Sequence, residues 1–481
     1  MISGQDIMSL LPMVILAAGM ILAMLLVALV RNHILAFAST LVVVSASFIS
    51  ILFIPAETPH CIGEIFIVDA FGLYYQALIL AATFVVAVFS YISLKNLFPD
   101  KRKEEYYLLL MIATLGSAMM VISSHFISFF VNLEILTVSL YALIGYYRER
   151  EKAIEAGLKY LILAAMSSSF LIFGMGLIYA ISGTLSFSAL PTVTFSLGRA
   201  ETMMLIAGAG MMIVGFGFKL ALVPFHMWAP DVYEGASSPV SAFIATVSKG
   251  GAAAILLRFF FAADIYRYHN VMMAFIIISV LSMLFGNLLA LRQNNVKRIL
   301  AYSSIANFGY LLVGFIAGKE TGLHAFTFFL TGYIVTILGA FGIITLISQS
   351  DNEAADVENY KGLFWRRPFL AAALTVFLLS LAGIPLTTGF IGKYFLLSAG
   401  LGKSQWVLAF VLAISSVIGL YYYLRVIVSM MTQDQGYQTT TKPIISSIAG
   451  GFILTVLIGL VVLLGVCPVW LIDAINRLAI R

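Results

Sequence analysis

About fourteen apolar runs near twenty residues each, spread from end to end, restrict this chain to one class of fold. A run of that length crosses a hydrocarbon core of about 30 Å as an α-helix. Hydropathy places the spans at approximately 8–30, 34–54, 72–94, 106–122, 125–146, 157–181, 203–222, 238–262, 271–291, 298–317, 323–348, 368–392, 405–430 and 446–466. Hydrophobic residues make up 62% of the sequence and charged residues only 10%, against about 25% charged in ordinary soluble domains. The expected fold is therefore an all-α polytopic membrane protein. The first apolar run lacks a positively charged lead and is longer than a signal-peptide core, so it reads as a retained helix.

Three lysines and one glutamate sit inside stretches that otherwise read as membrane-spanning helix: Glu134 in VNLEILTVSLY, Lys219 in GFGFKLALVPF, Lys249 in IATVSKGGAAA and Lys393 in TGFIGKYFLL. A charge at bilayer depth costs about 2.5 kcal/mol or more, even on lenient insertion scales. Such residues face a bundle interior or a water-filled path, and ion movement is the first role to test. Each could instead be a structural contact, and Glu134 could be no more than the buried partner of a lysine.

Other chemistry finds little footing. Cys61 and Cys467 are the two cysteines, with no CxxC pair and no Cys/His cluster of metal-ligand spacing. Both fall on the outward side, where a bond between them is permitted but not required. There is no GxGxxG after a strand, no P-loop and no GxSxG elbow. The net charge of +5 is scattered over short loops, which points to membrane orientation and away from nucleic acid.

The basic residues set that orientation. One side carries 16: Arg31, Lys95, Lys101, Arg102, Lys103, Arg148, Arg150, Lys152, Lys159, Arg292, Lys297, Arg298, Lys361, Arg366, Arg367 and Lys442. The other carries six: Arg199, Arg267, Lys319, Lys403, Arg477 and Arg481. The positive-inside rule makes the first side cytoplasmic and puts both termini outside. Arg258 and Arg425, towards helix ends, are expected to snorkel.

Two spans are interrupted beside a buried lysine. Pro224 and Pro230 should break the helix soon after Lys219, exposing His226 and free carbonyls. Gly383, Pro385 and Gly389 should break another before Lys393. Irregular backbone at membrane depth persists only where protein or water satisfies it, and paired interrupted helices mark ion paths in transporters. The breaks fall in spans seven and twelve, five spans apart. An odd repeat must enter the membrane from the opposite side, giving inverted units of spans four to eight and nine to thirteen. The division is then 1–104, 105–265, 266–432 and 433–481.

VNLEILTVSLYALIGY, LKYLILAAMSSSFLIFGMGLIY, GFGFKLALVPFHMWAPDVYEGA, NVKRILAYSSIANFGYLL and LSLAGIPLTTGFIGKYF, in this order, closely resemble the antiporter-like subunits of proton-pumping NADH:quinone oxidoreductase (respiratory complex I). The resemblance covers almost the whole chain. The largest type in that family has extra spans and a lateral helix, and another type has glutamate where this chain has Lys393.

The resemblance implies a proton path through Glu134, Lys219, Lys249 and Lys393, with His226 beside the first break. Asn307 stands where many relatives have histidine. Asparagine orients water but takes up no proton near neutral pH, so water should bridge there. The resemblance also implies no redox centre in this chain; NADH, FMN, iron–sulfur clusters and quinone would serve in other subunits. Its implied partners are another antiporter-like subunit and small membrane subunits, within the lipid bilayer.

A Glu134–Lys219 ion pair is expected to hold Lys219 charged until the carboxylate withdraws and the proton moves towards Lys249. Lys219 is expected near the negative end of its half-helix, and Lys393 against the positive end of the next, which would make Lys393 the readier donor. Asp231 and Glu234 are expected as solvated or capping residues of a cytoplasmic loop. Two other functions fit the same residues: a subunit of a multisubunit cation/proton antiporter, and a non-conducting membrane scaffold.

Overall fold

The computed structural model describes residues 3–54, 59–97, 103–194, 197–348, 353–432 and 448–478. Lys101, Arg102, Lys442 and Arg481, used above for orientation, lie outside the described residues. Apolar runs become helices close to the expected limits. They are α1 Leu11–Leu29, α2 His33–Ile51, α3 Ala70–Leu97, α4 Glu104–Val121, α5 Phe126–Ile144, α6 Glu151–Ser182 and α7 Arg199–Leu220. After the short α8 Trp228–Gly235 come α9 Ser238–Ala262, α10 His269–Ala290, α11 Val296–Ala317 and α12 Thr321–Ile347. The chain continues with α13 Pro368–Ala382, α14 Thr388–Gly402, α15 Trp406–Met431, α16 Ile448–Val466 and the short α17 Val469–Asn476.

Thirteen of these helices are long and apolar enough to cross a membrane. The fourteenth expected span is the broken pair α13–α14, each half 15 residues long.

Burial separates the helices more sharply than hydropathy does. The spans of α9, α11 and α12 are wholly buried, while α1 and α2 show most of their surface outward. Lipid is as apolar as leucine, so close packing selects the inner helices. At Gly286 of α10 a methyl group would meet the Ala306 backbone nitrogen of α11 at 2.7 Å. α12 is the hub, packed against α3, α9, α11, α13, α14 and α16.

One packing order occurs twice. α4 packs on α5 and α9, α5 on α6, and α6 on the broken α7–α8. Likewise α10 packs on α11 and α15, α11 on α12, and α12 on the broken α13–α14.

An antiparallel hairpin, β1 His60–Ile62 and β2 Phe66–Val68, departs from the all-helical expectation. Ile67 donates to the Ile122 carbonyl at 2.8 Å and Ser124 to that of Ile65 at 3.0 Å. The hairpin thus satisfies the backbone of the tight α4–α5 turn, whose polar groups have no helical partner there.

Candidate functional site

The first break is sharper than its prolines suggested. α7 ends at Leu220, Ala221 adopts the left-handed conformation at φ 58°, and α8 begins at Trp228. Pro224 lies in the break, but Pro230 sits in the first turn of α8, where a missing N–H costs nothing. The Trp228 indole closes the gap by donating to the Phe218 carbonyl at 2.9 Å. His226 is buried, and neither ring nitrogen has a hydrogen-bond partner among the described residues. It is therefore not exposed by the break.

Lys219, 5% exposed, projects from the last turn of α7 to neighbouring helices. Its Nζ donates to Thr137 Oγ1 at 2.9 Å and Tyr160 Oη at 3.0 Å. The expected ion pair with Glu134 is not formed. Glu134 lies one helical turn before Thr137, on the outer side of α5, and accepts from Ser168 Oγ at 2.5 Å. It lines an open groove of about 520 Å³ with Leu109, Phe130, Val131, Val138 and Tyr141. Thr137 reaches Lys219, while Glu134, three residues earlier and about 60° round the helix, meets α6 and borders that groove.

Lys249 is fully buried at the start of the regular part of α9, directly after a π-helical turn at Ile244–Ser248. Such wide turns often mark functional sites, and nothing in the sequence announced this one. The ammonium donates to Ser304 Oγ at 2.8 Å and stands 4.8 Å from the Phe308 ring centroid.

The second break runs from Gly383, at φ 84°, to Thr387. Gly389 lies inside α14 and serves close approach instead: a methyl group there would fall 1.8 Å from the Ser380 carbonyl oxygen. Lys393 Nζ donates to the last carbonyls of α13, Leu381 at 3.0 Å and Ala382 at 2.9 Å. These form the negative end of a half-helix, so Lys393 does not face a positive end as expected. Lys219, in the last turn of α7, does lie near a negative end, and the expected dipole asymmetry is absent. Lys393, not Lys219, is the lysine seated on backbone carbonyls. Asn307 donates to the Ser303 carbonyl at 2.8 Å and shares with Lys393 a small cavity of about 10 Å³.

The site residues therefore fall into three pieces: Lys219 with Glu134 one turn away, Lys249 at the centre, and Lys393 with Asn307. Among the described residues, none of the three lysines has a carboxylate within ion-pair distance.

Three charge clusters escaped the sequence reading. Arg258 does not snorkel: 1% exposed, it grips Asp69 through two hydrogen bonds of 2.6 and 3.0 Å and donates to the Val121 carbonyl. Arg425 donates to the carbonyls of Leu291 and Gln293 just beyond α10. Asp231 and Glu234 are locked in an ion-pair network. Asp231 meets Lys159 and Arg298, both at 2.8 Å, and Glu234 meets Lys152 at 2.8 Å and Arg298 at 2.9 Å. Partial burial pushes both carboxyls up, but hydrogen bonds from these cations outweigh it and hold them below their ordinary values. The acidic pair Asp231 and Glu234, the basic pair Lys297 and Arg298 and the mixed charges at 150–159 were the available signal. Cys61 and Cys467 are both free and exposed.

The family described as the NADH:quinone oxidoreductase/Mrp antiporter transmembrane region matches residues 123–419, which include every candidate residue. The chain is 40% identical over 485 aligned positions to the NADH-quinone oxidoreductase subunit N of Ectopseudomonas mendocina (strain ymp), covering 99% of this chain and 97% of that one. It superposes on a chain of respiratory complex I from Thermus thermophilus, solved with bound aureothin. The TM-score is 0.82 at 28% identity, over 97% of this chain and 99% of that one. The fold also matches a chain of the Mrp complex from Dietzia sp. DQ12-45-1b, with TM-score 0.84 at 20% identity, over 98% and 96%.

Proposed function

The chain belongs to the NADH:quinone oxidoreductase/Mrp antiporter family, and on that footing we propose that it is the N-type antiporter-like membrane subunit of a complex I. It moves protons from the cytoplasm to the periplasm through Glu134, Lys219, Lys249 and Lys393, driven by quinone reduction in other subunits. One observation carries this reading: three lysines are buried across the two packing units, each held only by neutral oxygens. An ammonium without a counter-charge is not locked into its protonated form, and a buried ion placed for stability alone would be paired.

The reading gives the residues unequal work. Lys219 receives the proton on the cytoplasmic side, and Glu134 acts on it through the turn of α5 that ends at Thr137. Because Glu134 opens onto an otherwise apolar groove, this face meets the neighbouring membrane subunit, whose charge sets the carboxylate's position. Lys249 bridges, and Lys393 ends the path. The repeated packing of α4–α9 and α10–α15 supports two inverted units. Redox chemistry belongs to other subunits, and the basic-residue asymmetry supports periplasmic termini in an inner membrane. Each proton moved against the membrane potential needs about 2.3 kcal/mol per 100 mV, which the driving subunits supply.

The test is NADH-driven proton uptake in inverted vesicles carrying Lys219→Ala, with assembly measured alongside. Loss of uptake in an assembled complex is expected. Normal uptake sinks the mechanism and leaves the scaffold reading. An assembly that lacks NADH dehydrogenase activity but exchanges cations for protons would identify the antiporter instead.

A further inference from the structure

The gap between Lys249 and Lys393 is spanned by groups that the lysine ladder leaves unexplained. Ser304 Oγ accepts from Lys249 Nζ and from Tyr333 Oη, each at 2.8 Å. All three residues are buried. Tyr333 is held in place by an edge-on contact with Phe308, ring centroids 5.5 Å apart, and Phe308 also faces the Lys249 ammonium.

Tyr333 also lines the small cavity that reaches Lys393, together with Asn307, Thr336 and Ser380. Its volume of about 10 Å³ is close to the minimum that holds one water, and such a water needs two to four polar partners. Thr336 and Ser380 hydroxyls lie 3.1 Å apart at its wall. Thr388 Oγ1, buried without a partner among the described residues, stands against Gly332, another lining residue.

We propose that Ser304 and Tyr333 are the hydroxyl bridge that hands the proton from Lys249 to a single water in this cavity, and from there to Lys393. This rests on the proton path proposed above and supplies its middle. Tyr333 Oη first turns its hydrogen from Ser304 towards the cavity, so that Ser304 Oγ donates to Tyr333 Oη. One proton then leaves Lys249 Nζ for Ser304 Oγ as the serine proton passes to Tyr333 Oη. The tyrosine proton passes to the water, and a water proton passes to neutral Lys393 Nζ. Each oxygen gains one proton and gives one up, so only O–H and N–H bonds exchange and the net transfer is a single proton. The hydroxyls then rotate back, which hydroxyl rotors do freely. Asn307 is an orienting group for the water and carries no proton itself.

The test uses the assembled complex in inverted vesicles, comparing Tyr333→Phe, Ser304→Ala and Ser304→Thr with Lys249→Ala. Proton uptake and its solvent deuterium isotope effect are read at equal amounts of assembled complex. Tyr333→Phe and Ser304→Ala are expected to slow proton uptake by on the order of 10²-fold, the size of a lost positioned proton-transfer group. Ser304→Thr, which keeps the hydroxyl, should restore uptake and its isotope effect, a rescue that mere packing would not give. If Tyr333→Phe does not assemble, Ser304→Ala decides, because it removes a single oxygen. Normal uptake in Tyr333→Phe and Ser304→Ala with loss in Lys249→Ala overturns the bridge and leaves the ladder standing. Normal uptake in Lys249→Ala as well overturns the ladder itself.

Discussion

The two broken helices solve one local problem in opposite ways. In the first, the lysine belongs to the half-helix before the break and points away from it, to hydroxyls on α5 and α6. The freed Phe218 carbonyl is served by Trp228. In the second, the lysine belongs to the half-helix after the break and reaches back to cap the carbonyls of Leu381 and Ala382. Lys219 is thus coupled to helices whose outer face carries Glu134, while Lys393 is part of the architecture of its own break. A signal from a neighbouring subunit has a route to the first lysine. The second responds to whatever alters the geometry of α13 against α14.

The strongest way to break this comparison is at Gly389. Alanine there would set a methyl group against the Ser380 carbonyl, a backbone clash that no rotamer relieves. Gly389→Ala should prevent normal assembly, read as loss of the subunit from the purified complex. The comparable position at the first break, Gly235 of α8, would set a methyl group 2.4 Å from the Lys152 carbonyl oxygen of α6 and not across the break. An assembled, pumping Gly389→Ala complex would show that the two halves of the second break can slide apart.

Next in size are the lysines themselves. Lys219→Met and Lys393→Met should both abolish pumping, but they should differ in stability. Only Lys393→Met leaves two buried carbonyls without their donor, a loss of roughly 1–3 kcal/mol for each unsatisfied group. Thermal unfolding of the nanodisc-embedded complex should show the larger drop for Lys393→Met; equal drops would remove the capping role.

The smallest effect concerns the charge cluster around α8, which follows the first break. Arg298→Gln should destabilise by about 1 kcal/mol near neutral pH, since these partly exposed pairs are screened by solvent. The sign with pH follows from carboxyls held below their ordinary values of 3.8 and 4.5. Their contribution is full above those values and is lost as pH falls through the lower folded ones. The stability gap between Arg298→Gln and the unsubstituted complex should therefore close in acid. A gap that persists there would assign the effect to packing.

Much of the architecture was legible because bilayer thickness and helical rise fix span length. That is why 238–262 was read to the residue and most other spans within a few. The breaks were legible because proline and glycine cluster at both, Pro224 after Lys219 and Gly383 with Pro385 before Lys393. The hairpin at 60–68 was missed: three-residue strands carry too little alternation to register against long apolar runs. Gly389 was misread because a glycine that ends a helix and one that admits a neighbouring backbone look alike in sequence.

The sequence by itself determined that this chain crosses a membrane many times, where it breaks, and which lysines lie at depth. Those properties depend on length, composition and local backbone chemistry. Only the tertiary structure decided what each charge touches. It set Glu134 on Ser168 instead of Lys219, Lys393 on carbonyls instead of a helix N-terminus, Arg258 on Asp69, and Ser304 with Tyr333 between Lys249 and the Lys393 cavity. A side-chain partner is chosen by how helices distant in sequence rotate against each other. A small rotation, invisible in any one helix, moves a carboxylate from the path to the groove beside it.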